Sequence, residues 1–300
     1  MVSKVILVGT ISNAEKRVEK DFSRVYNSLH FFDEIDVFLV ESDSSDSTID
    51  VLNKLSKKIP NFNYVSLGEL KTQLPNRIER IRKCRNVYVE HIRNSFDLKG
   101  WNYVVVADLD GMNSALKRNS FLKIFSSQTS WDACFANQKY GYYDVYALRH
   151  ESWMPNDCFE ELTELKNTIP KNVFTKFQFL LKIKTILAYD RARKVSIYDK
   201  MRVIKRKSPW IKVESAFGGL SIYNVSLFLK YDYSKVITEG PLISEHVDFH
   251  LKCAQDSANF YIVPHLINNN WNEYNLRKIF LVRQLSMLRG VISKKKRKAL

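Results

Sequence analysis

The sequence predicts an α/β fold: a mostly parallel, Rossmann-like sheet flanked by helices, with a basic helical insertion and a C-terminal amphipathic helix. Three observations predict it. Short apolar runs rich in β-branched residues alternate with helical patterns through the first third of the chain, as parallel strands joined by helices require. One run, Tyr103-Val104-Val105-Val106-Ala107, stops at two carboxylates, Asp108 and Asp110. Residues 158–207 are polar and basic with a helical middle, and the chain closes on a basic amphipathic pattern.

Taken in order, the first strand covers residues 4–8; its apolar stretch is too brief for a signal-peptide core. A helix follows over 14–29, a strand over 36–41, and a helix over 47–58 with Asp46 as its N-cap. Strand 63–66, helix 77–95 and strand 103–107 complete the alternation. Residues 131–136 and 142–148 read as aromatic, strand-like segments. Phe217-Gly218-Gly219-Leu220 reads as a glycine turn entering a strand. A helix over 244–255, a strand over 260–263 and a basic helix over 274–298 finish the chain. No segment approaches the ~20 apolar residues that span a bilayer.

The 300 residues suit one large α/β domain with an appendage, and 45% hydrophobic content is ordinary. The net charge of +15 is not. Residues 171–212 and the tail from Arg277 hold much of the excess, which implies a polyanionic partner such as an anionic membrane, a phosphorylated substrate or nucleic acid. Cys84, Cys134, Cys158 and Cys253 are widely spaced, without a Cys-x-x-Cys pair, which favours reduced thiols and a cytosolic compartment.

A buried strand should not end in unpaired acids, because a desolvated carboxylate is costly. Delivery of Asp108 and Asp110 to a cleft explains them: together they suit a hard divalent cation, Mg²⁺ or Mn²⁺, that in turn takes diphosphate oxygens. Ligands on such sheets bind beyond the C-terminal strand ends, so Thr10, Glu41 and Asp108 are expected to converge. Glu41, the small polar turn after it and Asp46 outline a nucleotide-sized niche, with a plain capped turn as the alternative. Arg77, Arg80 and the Arg85-Asn86 pair supply cations and a polar group on the helix ahead of the acidic strand; guanidinium forks suit phosphates. Arg80 and Lys83 are read as a solvated face.

In sequence order these segments, followed by Phe217-Gly218-Gly219-Leu220-Ser221-Ile222-Tyr223, Ser244-Glu245-His246-Val247-Asp248-Phe249-His250 and Tyr261-Ile262-Val263-Pro264, resemble a GT-A-fold nucleotide-sugar glycosyltransferase. The layout is similar to bacterial capsule and lipopolysaccharide transferases and to the fungal capsule-associated mannosyltransferase family, and extends from Lys4 to Asn270. The resemblance implies that Glu41 contacts the nucleoside, that Asp46 matches the acid after the turn, and that Arg85 and Asn86 border the nucleotide pocket. It implies metal, ribose or diphosphate roles for Asp108 and Asp110, and a place beside the donor sugar for Gly218 and Gly219. Glu245 matches an acid near the acceptor. Many members carry a late histidine ligand; here the position falls near Asn270, with His265 out of register.

Glu245 is the expected general base toward an acceptor hydroxyl, with Asp248 one turn on as the second choice. A first-turn acid stabilising its helix is the structural reading of Glu245. His246 and His250 have metal-ligand spacing, but His-Glu-x-x-His is absent, so a structural or acceptor-binding role is preferred to zinc. The aromatic residues between Trp131 and Trp153 suit either sugar stacking or core packing. The expected division is a catalytic domain over 1–273, its nucleotide half about 1–112 and its acceptor half about 113–273, and a tail over 274–300.

The resulting expectation is a transferase using a nucleoside-diphosphate sugar as donor, with Mn²⁺ or Mg²⁺, a capsule, lipopolysaccharide or O-antigen acceptor that is a glycan or lipid-linked glycan, and a cytoplasmic, peripheral place on an anionic membrane through the tail. A nucleic-acid-binding protein rests on charge alone and lacks the usual signatures, so no nucleic-acid partner is expected. A sugar nucleotidyltransferase would want a basic glycine-rich loop after the first strand, which Gly9-Thr10-Ile11-Ser12-Asn13 does not supply.

Overall fold

The computed structural model describes residues 3–169, 178–236 and 243–271. The basic tail, and with it the expected membrane-binding helix, lies outside the described residues, as does part of the basic insertion. The elements are β1 (Lys4–Ile11), α1 (Val18–Ser28), β2 (Glu34–Glu41), α2 (Thr48–Lys58), β3 (Phe62–Ser66), α3 (Arg77–Lys99), β4 (Tyr103–Ala107), α4 (Arg118–Phe125), β5 (Ala133–Gln138), α5 (Cys158–Asn167), α6 (Gln178–Ser196), β6 (Ile211–Val213), β7 (Leu220–Asn224), α7 (Ser226–Lys230), α8 (Glu245–Ala254) and β8 (Phe260–Asn269).

Among the described residues the strands form one eight-stranded sheet in the order β3-β2-β1-β4-β7-β5-β8-β6. The first four strands are parallel to one another. β7 runs antiparallel between β4 and β5, and β5 pairs parallel with β8. β1 to β5 and β8 therefore all end on one edge of the sheet, and the turn into β7 opens on that same edge.

Burial explains the sequence pattern. Val104 and Val106 face a layer that contains Tyr88, Ile92 and Trp101, while Val105 and Ala107 face Phe22, Val25 and Phe121. Val104 to Ala107 are all 0% exposed. A strand covered on both faces reads as an unbroken apolar run instead of an alternation.

Most element expectations hold, with shifts that have local causes. β1 reaches Ile11, because it pairs with β2 over its whole length. α1 begins at Val18, not at 14: Ala14 and Glu15 donate their N–H groups to Thr48 Oγ1 and Asp46 Oδ2, which hold the entry as a turn. α3 runs on to Lys99, from an Asn76 cap that accepts from the Ile78 N–H to a left-handed Gly100.

Residues 142–148, expected as strand-like, form a buried loop instead. β5 already has β7 and β8 on its two sides, so no sheet edge remains there. The loop takes other partners: Tyr142 N–H donates to Arg202 O at 2.8 Å, and Ala147 N–H to Asp144 Oδ1 at 3.4 Å. β8 continues past Pro264, which lacks an N–H, through an irregularity in which Phe135 faces Ile262 but Asn137 faces Ile267. α4, α7 and β6 are short elements that the sequence reading did not anticipate. All four cysteines are buried and free. Among the described residues no helix is long and apolar enough to cross a membrane.

Candidate active site

A cavity of about 500 Å³ opens at the edge where these strands end. Thr10 reaches it from β1, Ser42 and Asp43 from the turn after β2, and Asp108 and Asp110 from the exit of β4. Arg77, Arg80 and Arg85 line it from α3, and Glu245 and His246 from the start of α8. The 142–148 loop adds Tyr143, Asp144 and Tyr146; α5 adds Phe159, and the glycine turn adds Phe217.

The glycine turn sets the position of the central acid. Gly219 O accepts from the Asp108 N–H at 3.0 Å. Gly218 and Gly219 adopt φ of 73° and 79°, in the region that favours residues without a Cβ. A Cβ on Gly218 would stand 2.6 Å from Ala136 O, and one on Gly219 would stand 2.9 Å from the Tyr143 hydroxyl. Neither glycine, expected beside the donor sugar, is among the residues that line the cavity.

Arg85 is the buried hub, 3% exposed. Its Nε donates to Glu245 Oε1 at 2.9 Å and its Nη1 to the Tyr88 hydroxyl at 3.1 Å. Its Nη2 lies 3.7 Å from Asp108 Oδ1. The guanidinium lies 5.3 Å from the Phe217 ring centre and 5.5 Å from that of Tyr233, a favourable setting for a desolvated cation.

Asp108, Asp110, Asp144 and Glu245 crowd together around Arg85. Desolvation raises the Asp108 carboxyl above its ordinary range; Arg85 opposes the rise, while Asp110, Asp144 and Glu245 add to it. Burial likewise pushes Asp144 up to about 6, against hydrogen bonds from the Gly218 and Ala147 N–H groups. Crowded carboxylate oxygens fit a hard divalent cation, which would favour their ionised forms. Among the described residues no group of three or more His, Cys, Asp or Glu is arranged to hold a metal. Asp108 and Asp110 would thus hold such an ion with ligand oxygens completing its shell, a pattern usual for Mg²⁺ at phosphates.

Several expected site residues lie elsewhere. Glu41 is 1% exposed and does not line the cavity: it accepts from the Ser44 N–H at 3.0 Å and from the Ser66 hydroxyl. Asp46 is spent on the turn, accepting from the Thr48 N–H at 3.0 Å and its hydroxyl at 2.5 Å; it caps α2 from one residue before the formal N-cap, Ser47. Asn86 Oδ1 accepts from the Tyr233 N–H at 2.8 Å, so it ties α3 to that loop instead of bordering the nucleotide. Asp248 pairs with Arg82 at 2.8 Å and accepts from the Val236 N–H at 3.0 Å; it does not line the cavity, which removes it as a base. Arg80 is not solvated: its Nε lies 3.1 Å from Asp43, and Nη1 donates to Leu74 O and Pro75 O.

The histidines resolve as well. His250 is 0% exposed, with Nδ1 2.8 Å from Ser215 Oγ and Nε2 3.0 Å from the Tyr223 hydroxyl. Both nitrogens are engaged, so the zinc reading of His246 and His250 does not stand. His265 packs against Trp210, and the end of β8 offers Asn268 and Asn269 to the turns beneath the cavity: Asn268 Nδ2 donates to Gly218 O and Asn269 Nδ2 to Gly111 O. Trp131 stacks on Tyr103 in the core, while Tyr143 and Tyr146 do reach the cavity.

The sequence reading missed Asp144, Phe159 and Phe217 as cavity residues. The signal for Asp144 was present: an acid inside the aromatic run Tyr142-Tyr143-Asp144-Val145-Tyr146 invites the same question as Asp108.

No protein-family model and no curated protein matches the sequence. Similar solved structures include a mannosyltransferase from Pyrobaculum calidifontis in complex with GDP-mannose and Mn²⁺, at 12% identity over 89% of this chain and 56% of that one, TM-score 0.46. Another is Staphylococcus aureus TarS in complex with UDP, at 20% identity over 46% of this chain and 36% of that one, TM-score 0.29. A third is glucosyl-3-phosphoglycerate synthase from Mycobacterium tuberculosis in complex with UDP, at 14% identity over 89% and 69%, TM-score 0.35. The chain thus spans little more than half of the first and about a third of the second. All three are distant, and the chemistry of this site rests on its own residues.

Proposed function

We propose that the chain is a metal-assisted glycosyltransferase of the GT-A type that moves a sugar from a nucleoside-diphosphate sugar to an acceptor hydroxyl. One observation carries this reading: Asp108 and Asp110 leave β4 into the same cavity that the buried Arg85–Glu245 pair lines.

The turn after β1, the Ser42-Asp43 turn and the first turn of α3 offer hydroxyls, backbone groups and the exposed Arg77 to a nucleoside diphosphate. Mn²⁺ or Mg²⁺ at Asp108 and Asp110 would supply positive charge to the departing diphosphate oxygens. Arg85 adds a fixed charge that needs no rearrangement as the leaving group develops, because Glu245 and Tyr88 already hold it. Glu245 takes the proton of the attacking hydroxyl. Arg85 holds its Oε1, which leaves Oε2 outside that pair for the acceptor. A single in-line displacement follows, with inversion at the anomeric carbon.

The acceptor in this reading is a surface glycan of the capsule, lipopolysaccharide or O-antigen kind. The basic tail would hold the enzyme against an anionic leaflet on the cytoplasmic side. The test is product analysis: the purified chain is incubated with a panel of nucleotide sugars and glycan acceptors. Release of nucleoside diphosphate together with a glycosylated product supports the reading. Release of pyrophosphate points to a nucleotidyltransferase instead, and stable donors with every acceptor contradict both.

A further inference from the structure

A charge cluster that the cavity does not use lies between α1 and the start of α4. Lys20, Arg24 and Asn27 of α1 and Lys117 and Arg118 at the head of α4 line one groove, and no acid lines it. Lys20, Asn27, Lys117 and Arg118 are exposed, and Arg24 is half-buried. Among the described residues none of these four cations stands in an ion pair. Asp21, next to Lys20 in sequence, is turned inward: it is 4% exposed and accepts from the Gly111 and Asn113 N–H groups. Glu19 stands on the same helix but does not line the groove.

Helix stability does not explain this arrangement. Lys20 and Arg24 are like charges one turn apart on α1, which repel. Lys117 is the N-cap of α4 and makes no side-chain cap bond; Arg118 follows it, and the first turn holds no acid. A helix start carries partial positive charge and favours acids over cations. The four cations are thus gathered against their own repulsion, and phosphates laid along the groove relieve it. No ring lines the groove, so it lacks the stacking platform that single-stranded nucleic acid uses. The tail sequence carries the same charge, Lys294-Lys295-Lys296-Arg297-Lys298, with apolar residues interleaved ahead of it, a pattern that suits a lipid surface.

The groove also adjoins the site. Arg17, just ahead of α1, donates from Nη1 to Asp110 O at 3.0 Å, and Asp21 Oδ2 accepts from the Gly111 N–H at 3.1 Å. α1 is therefore fastened to the turn that delivers Asp110.

We infer that this groove docks the folded body on an anionic phospholipid leaflet, with lipid phosphates between Lys20 and Arg24 on α1 and Lys117 and Arg118 on α4. The contact is separate from the one proposed for the tail, and it holds the Asp110 turn close to the leaflet. A lipid-linked acceptor then reaches the cavity from the membrane plane; that consequence alone rests on the transferase reading.

A nitroxide on Asn27→Cys of the full chain tests it. The four native cysteines are buried, so the label goes to the new thiol. The probes are vesicles of phosphatidylcholine alone and of equal parts phosphatidylcholine and phosphatidylglycerol. The label is expected to become shielded from a water-soluble nickel relaxant on the anionic vesicles and to stay open to it on the neutral ones. A second variant, Lys20→Gln/Arg24→Gln/Lys117→Gln/Arg118→Gln, first shown folded by its melting transition, should sediment with anionic vesicles about tenfold or more weakly than wild type. Vesicle binding that leaves the label open to nickel assigns the contact to the tail and overturns the inference. So do a quadruple variant that binds like wild type, a chain that ignores anionic vesicles, and a label shielded by single-stranded DNA but by no vesicle. Nucleoside-diphosphate binding is read separately by thermal shift. A shielded label on a protein that no nucleoside diphosphate stabilises would sink the transferase reading and leave the docking groove standing.

Discussion

Arg85 Nε lies 2.9 Å from Glu245 Oε1, with Arg85 3% and Glu245 7% exposed. The pair joins α3 to the first residue of α8 across 160 positions of sequence. In the proposed mechanism it gives the site a positive charge and a base in fixed relation, and it makes each dependent on the other. Removal of one partner leaves a buried charge uncompensated. Arg85→Ala is therefore expected to lower unfolding stability by ~3–5 kcal/mol. Glu245→Gln, which keeps an acceptor for the guanidinium, should cost clearly less. Urea unfolding of the two variants decides; equal losses would show that the pair does not act as a buried ion pair.

The proposed mechanism predicts that Glu245 and Asp248 separate by function. Glu245→Gln should reduce kcat by ~10²–10⁴-fold, the range for loss of a general base. Asp248→Asn should leave kcat within a few-fold of wild type and instead loosen the α3–α8 packing, since Asp248 serves Arg82 and the Val236 N–H. Steady-state kinetics with saturating donor, beside melting temperatures, check both. A larger kcat loss in Asp248→Asn would contradict the assignment.

The glycine turn makes a steric prediction. Gly218→Ala places a Cβ 2.6 Å from the Ala136 carbonyl at φ 73°. It should cost ~1–3 kcal/mol in strain and disturb Asp144, which accepts from the Gly218 N–H at 2.9 Å. Gly68→Ala is the control, because its φ is also positive, 63°, yet nothing lies within 4 Å of the added Cβ. It should be the milder substitution. Parallel denaturation curves test the contrast, and equal destabilisation would show that close approach is not what the Gly218 position requires.

Low pH should destabilise the protein through the buried His250. Burial, with Arg85 adding to it, pushes His250 down from 6.5 to about 3. The unfolded chain then takes up a proton below about pH 6.5 that the folded chain refuses until about pH 3. Stability from this residue is present above pH 6.5 and lost as the pH falls through that window, by up to ~1.4 kcal/mol per pH unit. His250→Gln should be less stable at neutral pH, having lost a ring that meets Ser215 and Tyr223, but should show a shallower decline between pH 6.5 and pH 4.5. An unchanged slope in the variant would contradict this.

The sequence revealed the half of the fold in which pattern and environment agree. β4 was read to the residue because both faces are buried and an acid follows at once. Asp108, Asp110 and Glu245 stood out for a related reason: each is a charge where an apolar run stops or a helix just begins. Arg85 lies inside a basic helical stretch and stood out only as part of the Arg85-Asn86 pair. Glu41 and Asp46 misled because an acid at a turn has two uses, and here the backbone N–H groups of the 44–48 turn claimed both carboxylates. The loop over 142–148 misled because its rings alternate like a strand, and only the sheet order shows that no edge was open to it. Asp248 shares a helical face with Glu245 by spacing, yet Arg82, far away in sequence, takes it up. Partnerships of that range leave no trace in a local pattern.

The central claim is that Asp108 and Asp110 make this cavity a divalent-cation site for a nucleoside diphosphate. Thermal shift with UDP, GDP and other nucleoside diphosphates, with and without Mn²⁺, on wild type and Asp110→Ala tests it most directly. The account predicts stabilisation by at least one nucleotide that requires Mn²⁺ and disappears in the variant. Stabilisation that is independent of Mn²⁺, or equal in Asp110→Ala, or given by nucleic acid and by no nucleotide, would contradict it.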